Sequence, residues 1–147
     1  MDELVEKVKY ALADTFTFAL KAQSYHWNVI GSDFPQLHDF FGDLYAELQT
    51  GVDDLAEQIR QLDAFAPGSL TRMKELSSVQ EDDLIPKAEK MVTNLITANE
   101  TVLKCLTEAY EMAEEEKEFG LSNFLQDRIT AHKKHHWMLK ATAGQKS

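Results

Sequence analysis

The sequence predicts an all-α protein built on four long helices, and three observations carry that reading. Apolar residues recur three or four positions apart over nearly the whole chain, which is the spacing of one helical face. Only three prolines and six glycines interrupt 147 residues, so long helices are permitted. No segment shows a competing strand pattern. One domain over 1–147 is expected, long enough to bury a single core.

In the first helix Leu4, Val8, Ala11, Thr15, Ala19 and Ala22 share a face that runs on to His26, with no breaker before Gly31. Ser32-Asp33-Phe34-Pro35 reads as a turn and a new start, with Pro35 near the first helical position. The second helix carries Leu37, Phe41, Leu44, Leu48, Val52, Leu55, Ile59 and Leu62, and stops before Ala66-Pro67-Gly68. Residues 69–82 predict one short helix around Arg72–Leu76. A third long helix is expected from about Asp83, with Ile85, Ala88, Val92, Leu95, Asn99, Val102, Leu106 and Ala109 on one face. It runs into the acidic tail Glu114-Glu115-Glu116 before Gly120. The last helix carries Leu121, Phe124, Leu125, Ile129, His132 and His136, and frays over 144–147. Two helices, a long crossover at 63–82 containing a short helix, then two more helices form the ferritin-like version of a four-helix bundle.

Apolar residues make up 44% and charged residues 27%, the balance of a globular chain rather than a disordered one. The formal net charge is −10, so affinity for nucleic acid has no electrostatic support and cations are favoured instead. No apolar run approaches the roughly 18 residues that a membrane helix needs. Met1-Asp2-Glu3-Leu4 lacks the basic start and apolar stretch of a secretory signal, so a cytoplasmic protein is expected. The single Cys105 fits a reducing compartment and reads as a small buried residue.

Ferritin-like bundles commonly hold two metals inside one subunit through Glu-x-x-His pairs. None of His26, His38, His132, His135 or His136 has a glutamate three places before it, so that arrangement is not expected. A different set of donors is present. Asp53 and Glu57 lie four apart and project from one face of the second helix, while His26 and His38 close the first helix and open the second. Imidazole and carboxylate together suit Fe(II). His38 and Asp53 are fifteen residues apart on one helix, roughly 22 Å along its axis, so one chain cannot bring them to one ion. Two copies of the second helix packed antiparallel about a two-fold axis would bring residue 38 of one to residues 53 and 57 of the other. Tyr45, Leu48 and Val52 near the midpoint would then supply interface contacts.

The stretches His26-Trp27-Asn28-Val29-Ile30-Gly31, Leu37-His38-Asp39-Phe40-Phe41 and Asp53-Asp54-Leu55-Ala56-Glu57-Gln58-Ile59-Arg60 resemble the signature of the Dps family. His132-Lys133-Lys134-His135-His136-Trp137-Met138-Leu139 resembles that family's last helix, and the likeness spans most of the chain. It implies a hollow dodecameric shell with ferroxidase sites at dimer interfaces, His26 and His38 coming from one subunit and Asp53 and Glu57 from its neighbour. It also implies oxidation of Fe(II) by hydrogen peroxide or O2, storage of ferric mineral and protection against oxidative damage. Trp27 stands where the family has a tryptophan proposed to quench radicals beside the metal. The family's acidic pores point to Asp127, beyond the cluster Glu114, Glu115, Glu116 and Glu118.

One position departs from the pattern. The family usually has an aspartate four residues after the second histidine, and here Gly42 stands there. Asp39 and Asp43 flank it, but Asp43 is turned about 100° around the helix. The expected outcome is a primary iron position held by Asp53, Glu57 and one histidine, and a weaker second one. His132, His135 and His136 read as packing or surface residues, and Trp137 reads as a core or interface residue. Two other functions compete. A nucleoid-type DNA-binding protein is disfavoured by the acidic start Asp2-Glu3 and a tail with only Lys140 and Lys146. A shell protein with weakened ferroxidase activity is favoured by Gly42.

Overall fold

Five helices account for most of residues 1–145, the part of the chain described by a computed structural model. Helix α1 is Asp2–Asn28, α2 Phe34–Gln61, α3 Leu70–Leu76, α4 Ala88–Glu115 and α5 Phe119–Thr142, with no strand among the described residues. The first apolar face is buried as its spacing requires: Leu4, Val8, Ala11, Thr15, Ala19 and Ala22 are all inside. Helix α1 ends where Val29 turns extended and Gly31 takes φ +129°, a conformation that favours glycine. Pro35 then sits in the first turn of α2, where its missing N–H costs nothing.

Helix α1 packs against α2, α4 and the short α3, and α4 packs against α5. The core runs between them through Leu12, Phe18, Phe41, Leu55, Leu95 and Leu125, all essentially inaccessible. Each such side chain contributes about 1.5–3 kcal/mol by leaving water. Helices α2 and α5 approach each other only loosely, and polar side chains bridge that seam.

The crossover is tied to the bundle by two carboxylates, the buried Asp14 and the exposed Asp82. Ser69 caps α3 by accepting the Arg72 N–H at 3.2 Å. The Ser78 N–H donates to the buried Asp14 at 2.6 Å, and the Ser77 hydroxyl donates to the same oxygen at 3.1 Å. Further on, Asp82 receives the Tyr25 hydroxyl, Lys21 at 3.2 Å and Asn94 at 3.4 Å.

Four expectations are corrected. The third long helix starts at Ala88 rather than Asp83, and Ile85 lies exposed in the crossover. Pro86 is the reason: it biases the residue before it away from helical dihedrals. Leu48 is fully buried in the core and is not available to a partner, whereas Tyr45 and Val52 are half-buried. Trp137 is 64% exposed and is no part of the chain's own core. Cys105 is half-buried rather than buried, and desolvation pushes its thiol up to about 12, which leaves it unreactive. Helix α5 ends at Thr142, and Lys146 and Ser147, within the expected fraying, lie outside the described residues.

Candidate metal centre

The end of α1 and the start of α2 form a corner that holds His26 and His38 face to face. Their rings stack with centroids 3.9 Å apart and planes 14° from parallel. Phe34, one turn before His38, stacks with it at 5.1 Å. The backbone interlocks the pair: each Nδ1 lies 2.7 Å from the main-chain oxygen of the other histidine. A carbonyl can only accept, so each Nδ1 carries the hydrogen and donates. That fixes the tautomer and leaves each Nε2 with a free lone pair, the arrangement a metal ligand needs.

Residue 42 is part of this corner. A β-carbon at Gly42 would stand 2.9 Å from both Cε1 and Nδ1 of His26, closer than real contacts allow. The bare Cα therefore lets the His26 ring lie against α2.

Asp53 and Glu57 stand one turn apart further along α2, both exposed. The charge of Asp53 raises the Glu57 carboxyl above its ordinary value, because the two carboxylates lie close together. Beside Asp53 lies an apolar hollow of about 260 Å³, lined by Leu12, Phe16, Val52, Ala56, Pro67 and Leu70. Trp27 is 61% exposed, and Ile30 and Phe34 on the same corner are exposed as well.

The structure thus brings the two histidines together and sets the two carboxylates on adjacent turns. It does not join the pairs: no cluster of three or more His, Cys, Asp or Glu able to hold a metal occurs among the described residues. The donor types fit a divalent ion of the iron group. An imidazole lone pair lies in the plane of its ring, and two nearly parallel planes 3.9 Å apart cannot meet on one ion. Each ring is suited to its own ion, and about 3.5–4 Å is the usual separation in two-metal centres.

A second polar cluster, across the α2–α5 seam, escaped the sequence reading. Arg128, almost fully buried, donates to Glu47 at 2.5 and 3.1 Å and to His132 Nε2 at 3.0 Å. His132, fully buried, donates through Nδ1 to Asn99 Oδ1 at 2.7 Å, and His135 donates to Glu47 at 2.6 Å. Burial alone would raise the Glu47 carboxyl, but the hydrogen bonds and charges of His135 and Arg128 outweigh it and hold it at about 2. His132 and His135 have the packing roles expected of them. Glu47 and Arg128 are 81 residues apart, and their only local hint is two polar residues interrupting the inner faces of their helices.

Five helices in this order, with a crossover between two hairpins, define a ferritin-like four-helix bundle, and a ferritin-like domain matches residues 5–146. DNA protection during starvation protein 2 of Bacillus anthracis is 31% identical over 97% of this chain and 98% of its own length. The crystal structure of Dps from Staphylococcus aureus superposes with a TM-score of 0.93 at 30% identity, covering 97% of this chain and 96% of that one. The Dps of Vibrio cholerae O1, a member of a broad superfamily of ferritin-like diiron-carboxylate proteins, gives 0.91 at 28% identity, covering 95% and 88%. The chain belongs to the Dps family of ferritin-like proteins.

Proposed function

We propose that two copies of this chain pair α2 against α2 about a two-fold axis and oxidise Fe(II) at two equivalent shared centres. In each centre His26 and His38 of one copy face Asp53 and Glu57 of the other. The observation that carries this reading is the division of the donors into two halves, His38 with its neighbour His26 lying about 22 Å along α2 from Asp53 and Glu57. Each half is the kind of partial site that a partner would complete. The exposed corner of Trp27, Ile30 and Phe34 and the hollow beside Asp53 supply apolar surface for the same pairing.

Fe(II) and the oxidant are the substrates. Two Fe(II) ions give up one electron each, and one hydrogen peroxide takes both electrons and two protons to form two waters. The likeness to the diiron-carboxylate protein of Vibrio cholerae and to a starvation-protection protein of Bacillus anthracis supports this chemistry and a protective role. Assembly into a hollow dodecamer that stores ferric mineral, with Trp27 quenching radicals and Asp127 lining a pore, belongs to the same proposal, as does a place in the cytoplasm. Nucleic acid is not a proposed partner, because a net charge of −10 opposes it.

The test is stopped-flow oxidation of Fe(II) with peroxide or O2, comparing the parent with Asp53→Ala plus Glu57→Ala. The variant should be at least about tenfold slower. Equal rates would leave a catalytically inert shell.

A further inference from the structure

We propose that Gly42 is a specificity-determining residue of the shared centre, leaving one of its two ion positions poor in carboxylate. The inference rests on the two-fold reading above and adds a selectivity to it.

Three rings stand in a row at the corner, Phe34 on His38 on His26, and the last of them covers Gly42. The two Nδ1–H groups are committed to main-chain oxygens, so the rings cannot swing away without breaking those bonds. Any β-carbon at residue 42 would collide with the His26 ring, which is tethered on its near side and stacked on one face. The imidazole stack and a side chain at residue 42 therefore exclude each other, and this chain has the stack.

The consequence follows from donor counting. Near-parallel rings serve two ions, one each. The partner copy offers only two carboxylates, Asp53 and Glu57; both serve the primary ion, and one of them must also serve the second. With nothing at residue 42, the chain that supplies the histidines adds no oxygen of its own there. Asp43, the next residue, projects about 100° away around α2. One position is then completed by imidazole, a shared carboxylate and water. Imidazole binds the later divalent ions of the first row well, whereas Mn(II) depends on oxygen donors and is bound least tightly in that series. The carboxylate-poor position should accept Zn(II) and reject Mn(II), with Fe(II) between them.

Titration calorimetry of the assembled protein with Zn(II) alone and with Mn(II) alone tests this without any turnover. The parent should take two Zn(II) per chain, but its second Mn(II) should bind at least about tenfold more weakly than its first. Gly42→Ala, which adds only the colliding carbon, should weaken one Zn(II) position by about tenfold or more and spare the other. Two equal Mn(II) positions in the parent would overturn the role of Gly42, whatever the variant does. Unchanged Zn(II) binding in Gly42→Ala would overturn it too. Failure of the parent to bind either ion would instead remove the shared centre itself, and this selectivity with it.

Discussion

Arg128 lies across Gly51, its guanidinium carbon 2.6 Å from the point where a β-carbon at residue 51 would stand. Glycine inside a helix normally costs about 1 kcal/mol relative to alanine. Here the missing methyl makes room for a buried cation that joins α5 to α2. Gly51→Ala should therefore destabilise by about 1–3 kcal/mol instead of stabilising. Denaturant unfolding reads the sign directly, and a stabilised variant would show that the guanidinium has another place to go.

The same seam sets a dependence on pH. Burial, with the nearby charge of Arg128, holds the His132 imidazole well below its ordinary 6.5. Below about 6.5 the unfolded chain takes up a proton that the folded chain refuses, so stability falls with pH. Glu47 is held at about 2, so its contribution is present above its ordinary 4.5 and is lost as pH drops from there towards 2. Unfolding midpoints should decline in two stages, and His132→Gln should flatten the upper one only. Asp14, raised by burial, works in the opposite sense in both proteins and cancels from the comparison. A parent curve that stays level from about pH 8 to about 5 would contradict this assignment.

Asp82 fastens the far end of the crossover to α1 and α4 through Tyr25, Lys21 and Asn94. Asp82→Ala leaves the Tyr25 hydroxyl, which is buried and pushed to a higher pKa by that burial, without its main acceptor. The variant should lose about 1–2 kcal/mol. Tryptic cleavage after Lys87, where the crossover meets α4, should rise severalfold while the helical content is kept. Unchanged cleavage would mean that Ser77, Ser78 and α3 hold the segment unaided.

Much of this architecture was legible because helical periodicity is a local property. The faces of α1, α2 and α4 could be read directly, and Ala66-Pro67-Gly68 marked the stop of α2 within a few residues. The start of α4 was misjudged because Ile85 continues the apolar spacing while Pro86 forbids the backbone to follow it. Helix α5 had little apolar stripe to read, since its inner face carries Ser122, Arg128 and His132. Those residues are inside because partners on α2 and α4 satisfy them: Ser122 through Glu114 eight residues back, Arg128 and His132 through pairings across 33 to 81 residues that helical periodicity does not register. At the candidate centre, spacing alone set the histidines apart from the carboxylates. Likeness to the Dps-family pattern marked Gly42 as a departure, but the reason, the His26 ring lying over it, exists only in three dimensions.

The central claim is that each iron-oxidising centre draws its histidines from one copy and its carboxylates from another, and subunit mixing tests it most directly. One variant would carry His26→Ala plus His38→Ala, the other Asp53→Ala plus Glu57→Ala. Each alone should be close to inactive. After dissociation and reassembly of an equal mixture, half the dimers combine both variants, and each of those rebuilds one intact centre of its two. Fe(II) oxidation should return to about a quarter of the parent rate. A mixture no faster than its separate components, although hybrid dimers are present, would contradict the account.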